Sequence, residues 1–119
     1  MLNKGIKSEE DRRIESIVMK LSSIGFVPED KKVMEDLDEE LKKVGLSYEH
    51  MLTMADKELA QHLHRLNFAW DKMEQFADIL VQWAKKEVAL KPKAKAVYQY
   101  IQDESKMFSF DIMSKISQL

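Results

Sequence analysis

Cysteine is absent from the chain. That removes disulfides, thiolate metal sites and thiol nucleophiles together, and it fits a reducing compartment. Glycine occurs three times and proline twice. So few turn-forming residues argue against an all-β fold, which needs many tight turns. No apolar run approaches the roughly 18 residues of a membrane span, so no transmembrane helix is expected. Positive charge is not in excess either. Lys and Arg number 19 against 21 Asp and Glu, for a net charge of −2 and a pI near 5.9. That balance argues against a general affinity for nucleic acid or an anionic membrane. There is no glycine-rich phosphate loop, nucleophile elbow or paired-carboxylate motif. No enzyme activity is therefore expected, and no catalytic residue, cofactor or metal is assigned. The opening stretch MLNKGIKSEEDRR has neither an apolar core nor a cleavage pattern. No signal peptide is expected from it, and a cytoplasmic location is the default.

What is present describes a globular helical chain. Apolar residues make up 45% and charged residues 34%, a mixture that buries a core and stays in solution. A length of 119 residues suits one domain. Residues 1–7 read as a short leader, followed by a single helical-bundle domain over 8–119.

The chain is organised around Phe68 to Ala84, FAWDKMEQFADILVQWA. On a helical projection Trp70, Met73, Ala77, Leu80 and Ala84 share one side, and Phe76, Ile79 and Trp83 lie further round. The apolar arc spans about 200°, against the roughly 100° stripe of an ordinary surface helix. Such a helix needs more than one covering neighbour. It is either the centre of a bundle, or it turns its Phe76, Ile79 and Trp83 side towards a partner. The second reading makes a homodimer the expected state.

The remaining helices follow from caps and periodicity. Ser8 is placed to cap a first helix near 9–24, with Ile14, Ile17, Val18, Leu21 and Ile24 as its stripe. Gly25 and Gly45 read as left-handed stops, each followed by an apolar residue (Phe26, Leu46) that pairs back to Leu21 or Leu41. The second helix is expected near 29–44, and the first two as an antiparallel hairpin. Ser47 is placed to cap a third helix near 48–66. From Leu59 to Ala84 the apolar spacing alternates four and three, as if one helix ran from 48 to 90. That helix would be about 64 Å long, while a compact chain of this size is about 35 Å across. A break is expected, with Asn67 the best candidate because Asn tolerates the left-handed conformation. The central helix then covers about 69–90 and Pro92 marks the next boundary. A last helix near 93–118 has Val97, Ile101, Phe108, Ile112 and Ile116 facing inward, and Ser109 is placed to cap a fresh start within it.

Four groups of residues carry possible chemistry. Asp36, Asp38 and Glu40 echo a calcium loop but have Leu41 where that loop needs glycine, so a solvated face with Asp38–Lys42 and Glu39–Lys43 pairs is expected. Lys85, Lys86, Lys91, Lys93 and Lys95 form a basic corner without arginine, in which Glu87 pairs with Lys91. Glu58 and His62 stand one helical turn apart, which supplies two metal ligands of the four a site needs. Seven of the eight methionines are dispersed along the helices and read as core fillers. The expected protein is an all-α, compact bundle of about five helices built on αα-hairpins. Its expected role is non-enzymatic protein interaction or self-association through Phe76, Ile79 and Trp83. The alternative is a small-ligand or metal-binding bundle with a cavity lined by Trp70, Met73 and His62. Nucleic-acid contact through the lysine corner is weaker, and membrane association is not expected.

Overall fold

The computed structural model describes residues 8–119, so the proposed leader over 1–7 lies outside the described residues. The described chain is all helical, with no strand. Seven α-helices run in order: α1 Glu9–Ser23, α2 Lys31–Lys42, α3 Tyr48–Thr53, α4 Asp56–Arg65, α5 Trp70–Trp83, α6 Lys91–Ser105 and α7 Phe110–Ser117. A 3-10 turn, Val88–Leu90, joins α5 to α6. Helix α5 packs against α1, α4 and α6, with α6 its most extensive neighbour, and α7 lies against α6. The described chain measures 49 × 32 × 22 Å.

Two stops form as the sequence implies. Gly45 adopts φ +70°. The Leu46 amide donates to the Leu41 carbonyl at 2.9 Å, and the Gly45 amide donates to Lys42 at 3.0 Å. This is the double bond pattern of a Schellman stop. Asn67, at φ 66°, builds the same stop on α4. The Phe68 amide reaches the Leu63 carbonyl at 3.2 Å and the Asn67 amide reaches His64 at 3.0 Å. The helix-like register from 48 to 90 is therefore broken at Asn67. Caps at Ser8, Ser47 and Ser109 also form, each hydroxyl accepting from the amide three residues on.

Gly25 does not end α1 in this way. The chain leaves through Ile24 in an extended conformation. The Leu21 carbonyl, which a left-handed stop would offer to Phe26, instead accepts from the Ile24 amide at 3.3 Å, while Ser22 Oγ donates to Met19 O and Ser23 Oγ to Lys20 O, both at 2.8 Å. The extended exit carries Phe26 over Trp83, where the rings stack at 5.1 Å and 15°. The two glycines should thus respond differently to alanine. At Gly45 the new Cβ meets His62 only at ordinary contact distance, 3.5 Å, so the penalty is conformational, about 1–2 kcal/mol. At Gly25 nothing lies within 4 Å, and the change should be neutral or stabilising by up to about 0.5–1 kcal/mol. Urea midpoints of the two variants check this; equal losses would contradict the two different helix ends.

Three expected helices are shorter or divided. The third is split by Met54 and Ala55 into α3 and α4. Met54 is extended, and Glu58 Oε1 accepts from the Ala55 amide at 3.3 Å. The reach-back of Glu58 opens α4 although Ala55 itself offers no capping atom. The central helix ends at Trp83 rather than near 90. The amides of Lys86 and Glu87 both fold onto the Trp83 carbonyl at 3.0 Å, and Glu87 then caps the 3-10 turn through the Ala89 amide. Val88 is exposed as a result. The last helix is interrupted after Ser105. Lys106 is left-handed at φ 60°, and the Gln102 side chain clasps Ser109, accepting from its amide at 3.1 Å and donating to its carbonyl at 3.3 Å. Phe108, expected inward, is 64% exposed as a consequence.

Candidate functional site

Helix α5 is covered by its own chain. Phe76, Ile79 and Trp83 are 1%, 7% and 3% exposed. Phe76 meets Phe68 edge to face at 6.1 Å, and Trp83 lies under Phe26. The wide apolar arc therefore does not by itself require a second chain. The covering is uneven, however. Between α1 and α5 runs a groove of about 530 Å³. Its apolar lining comes from Val18, Ile24, Phe26, Ile79 and Trp83. Met19 also lines it and is 64% exposed. Gln75, Asp78, Gln82, Lys85 and Lys86 supply its polar side.

The groove's two faces have different origins. Ile79 and Trp83 are one turn apart on α5, as the helical projection places them. The opposite wall depends on the extended exit at Ile24, which brings Phe26 across. The sequence signal for that wall is Met19, an apolar residue beside the regular α1 stripe rather than within it. Lys72 ties the two helices at another point, with Nζ 3.5 Å from Glu15 Oε2.

Asp78 joins the groove to α7. It accepts from Tyr98 Oη at 2.5 Å. Lys115 Nζ stands 3.1 Å from Asp78 Oδ1 and 2.6 Å from Glu74 Oε2. Burial works against the charge on Lys115, but its hydrogen bonds to Glu74 and Asp78 outweigh that and hold its pKa above the ordinary value. Burial, reinforced by the bond to Asp78 and its charge, also pushes the Tyr98 hydroxyl well up. The pocket's carboxylate is thus already committed within the fold, whereas Lys85 Nζ bonds only a neutral partner, Gln82 Oε1, at 2.9 Å.

The other candidate groups serve the fold. His62 Nε2 lies 2.7 Å from the Val44 carbonyl, beside the Gly45 stop, while Glu58 caps α4. Those two residues are not assembled as ligands, and among the described residues no group of three or more His, Asp or Glu is placed to hold a metal ion. Trp70, Met73 and His62 share no cavity. Met73 is fully buried, and Trp70 instead packs on His64 at 4.9 Å and lies 6.5 Å from Tyr100. His64 Nδ1 is 2.6 Å from Tyr100 Oη. Burial raises the Tyr100 pKa, with Glu104 adding to the rise and Arg65 opposing it.

The acidic helix is mostly engaged. Asp38 Oδ1 accepts from the Tyr48 amide at 2.8 Å, Asp36 pairs with Lys32 at 2.9 Å, and Lys43 pairs with the buried Glu40, not Glu39, at 2.9 Å. The lysine corner is likewise not one uniform patch. Lys93 is buried, with Nζ 2.8 Å from Asp56 Oδ1. Lys91 and Lys95 are exposed, and Lys85 and Lys86 border the groove. No helix among the described residues is long and apolar enough to cross a membrane.

No protein-family model matches the chain, and neither curated proteins nor solved structures give a match.

Proposed function

We propose that this protein is a non-enzymatic interaction domain, working in the cytoplasm, whose docking surface is the groove between α1 and α5. The observation that carries the reading is the groove itself. It offers apolar walls from Ile24, Phe26, Ile79 and Trp83, an exposed Met19, and two lysines at its border that have no carboxylate partner within the groove. A concave apolar surface with a few polar groups at its edge is what docked helices and amphipathic ligands use. Methionine suits such a place because its flexible, polarizable side chain adapts to what it meets.

The test is binding of an amphipathic anionic probe, anilinonaphthalene sulfonate, followed by amide and indole NMR shifts. The expected result is saturable binding to the native fold, with shifts gathered on Val18, Met19, Ser22, Gln82 and the Trp83 indole. Met19→Glu should reduce that affinity severalfold without lowering stability, since the side chain is 64% exposed. Native protein that fails to bind the probe, or binds it away from these residues, would remove the groove as a docking surface.

A further inference from the structure

One segment of the chain has the opposite defect to the groove. Met107, Phe108, Phe110 and Met113 are 66%, 64%, 80% and 49% exposed. They are all contributed by the turn after α6 and the start of α7. Phe108 and Phe110 meet each other edge to face at 4.7 Å, which makes a raised aromatic pair. Clustered exposed apolar side chains of this kind mark interaction sites, whereas single ones do not. Their placement is fixed. Left-handed Lys106 turns the chain, Gln102 clasps Ser109, and Lys115 pins α7 to Glu74 and Asp78.

We infer that the occupant of the α1–α5 groove is the Met107–Met113 segment of a second copy of this chain, exchanged reciprocally about a two-fold axis. Three observations favour a second copy over a foreign partner. First, the two surfaces match in apolar and aromatic character. The groove is lined by Ile79, Trp83 and Phe26, and the segment presents two rings with no comparable burial in its own fold. Second, the charges are complementary. Asp111 lies within the exposed segment, its side chain 80% exposed and only 3.9 Å from its nearest cation, Lys115. Lys85 and Lys86 wait at the groove without a carboxylate. Third, the two surfaces are linked through one residue. Asp78 lines the groove and also receives Lys115 from α7, so the helix that carries Phe110 is anchored to the helix that lines the groove. In an isologous contact each copy gives its aromatic pair and receives the other's, and the assembly closes at two.

The exposed side chains bound the size of the contact. The four exposed side chains and Met19 together offer on the order of 600 Å² per copy, and so about 1,200 Å² in all, the lower end for a specific complex. The inference rests on the groove being a docking surface, as proposed above, and adds the identity of what docks.

The experiment is light scattering over a concentration series on the full chain, with two single variants and their mixture. The wild type should rise from 14.0 kDa towards twice that mass. Phe110→Ser and Met19→Lys both change exposed positions, so both should stay folded, and each alone should weaken dimerisation at least tenfold. Their equimolar mixture should regain association, because the Met19→Lys copy keeps an intact aromatic pair and the Phe110→Ser copy keeps an intact groove. That recovery separates knob-into-groove pairing from a simple meeting of two Phe110 patches, which the mixture would not restore. A chain that stays monomeric at millimolar concentration overturns the inference, as does a dimer lost on Phe110→Ser but not recovered in the mixture. Probe binding in the groove of such a monomer would leave the docking surface standing with a different occupant. A monomer that also binds no probe would remove both.

Discussion

Replacing Trp83 with alanine should destabilise the fold by about 3–5 kcal/mol, the range for removing a large aromatic side chain from a core. The indole is 3% exposed. It closes the end of α5, carries Phe26 stacked upon it at 5.1 Å, and floors the groove. Its loss would leave Phe26 with Tyr48 as its remaining ring contact, at 5.7 Å, and would open the groove into the core. Against a total stability of typically about 5–15 kcal/mol, this change brings the protein near its unfolding threshold at room temperature. Trp83→Phe keeps most of the apolar contact and should lose only part of that amount. Urea denaturation of the two variants, followed by far-UV circular dichroism, checks the prediction. A loss below about 1 kcal/mol for alanine would mean the indole is an exposed contact rather than core.

The second large effect is an alkaline one. All three tyrosines and Lys115 have pKa values raised by the fold. For Tyr48 the causes are burial first and then the charge of Glu87, and the value reaches about 12. Among the described residues Tyr48 Oη is the buried side-chain polar atom left without a standard hydrogen bond. For Tyr98 burial acts together with Asp78, and for Lys115 the carboxylates of Glu74 and Asp78 overcome burial. A raised pKa means the native state holds its protons where the unfolded chain releases them. Between pH 10 and 12 the unfolded chain therefore binds fewer protons, and stability must fall as pH rises. Below about pH 10 both states are protonated and these groups contribute no slope. Tyr48 alone accounts for roughly 2 kcal/mol across that window after allowance for its partial exposure. Urea midpoints at pH 8, 10, 11 and 12 should be level at first and then decline. Tyr98→Phe should be less stable at pH 8, having lost the bond to Asp78, and should show a shallower decline. A flat profile to pH 12 would contradict the environments assigned to these hydroxyls.

The helical class and several boundaries could be read from the sequence because they rest on local chemistry. Gly45 and Asn67 each carry a left-handed stop whose signature lies within six residues, and Ser8, Ser47 and Ser109 each cap the turn that follows. Gly25 shows where such reading fails. The Leu21 carbonyl it would have used is taken by the Ile24 amide, and the extended path through Ile24 leads Phe26 onto Trp83 and Tyr48, partners distant in sequence. The break at Met54 was hidden for a similar reason: the apolar stripe runs through it unbroken, and the only local sign is Glu58 in the reach-back position. The end of α5 at Trp83 has no glycine or proline to announce it. Half of the groove was legible, in Ile79 and Trp83. The half made by Phe26 and Met19 was not, because it depends on the path taken after α1. The inward placement of Phe108 carried the helical spacing up to the fresh start expected at Ser109, whereas Lys106 and the Gln102 clasp end the helix earlier and turn Phe108 outward.

The pairing of α1 with α5 also bears on how the chain is made. Helix α1 leaves the ribosome about 50 residues before its main partner, and at about 5–20 residues per second that is an interval of several seconds. During it Ile17, Val18 and Leu21 have only α2 and the short α3 and α4 to lean on. Helices α4, α5 and α6, by contrast, follow one another directly and pack together as soon as they emerge. The apolar face of nascent α1 therefore waits partly uncovered, and the groove cannot take shape until α5 has emerged.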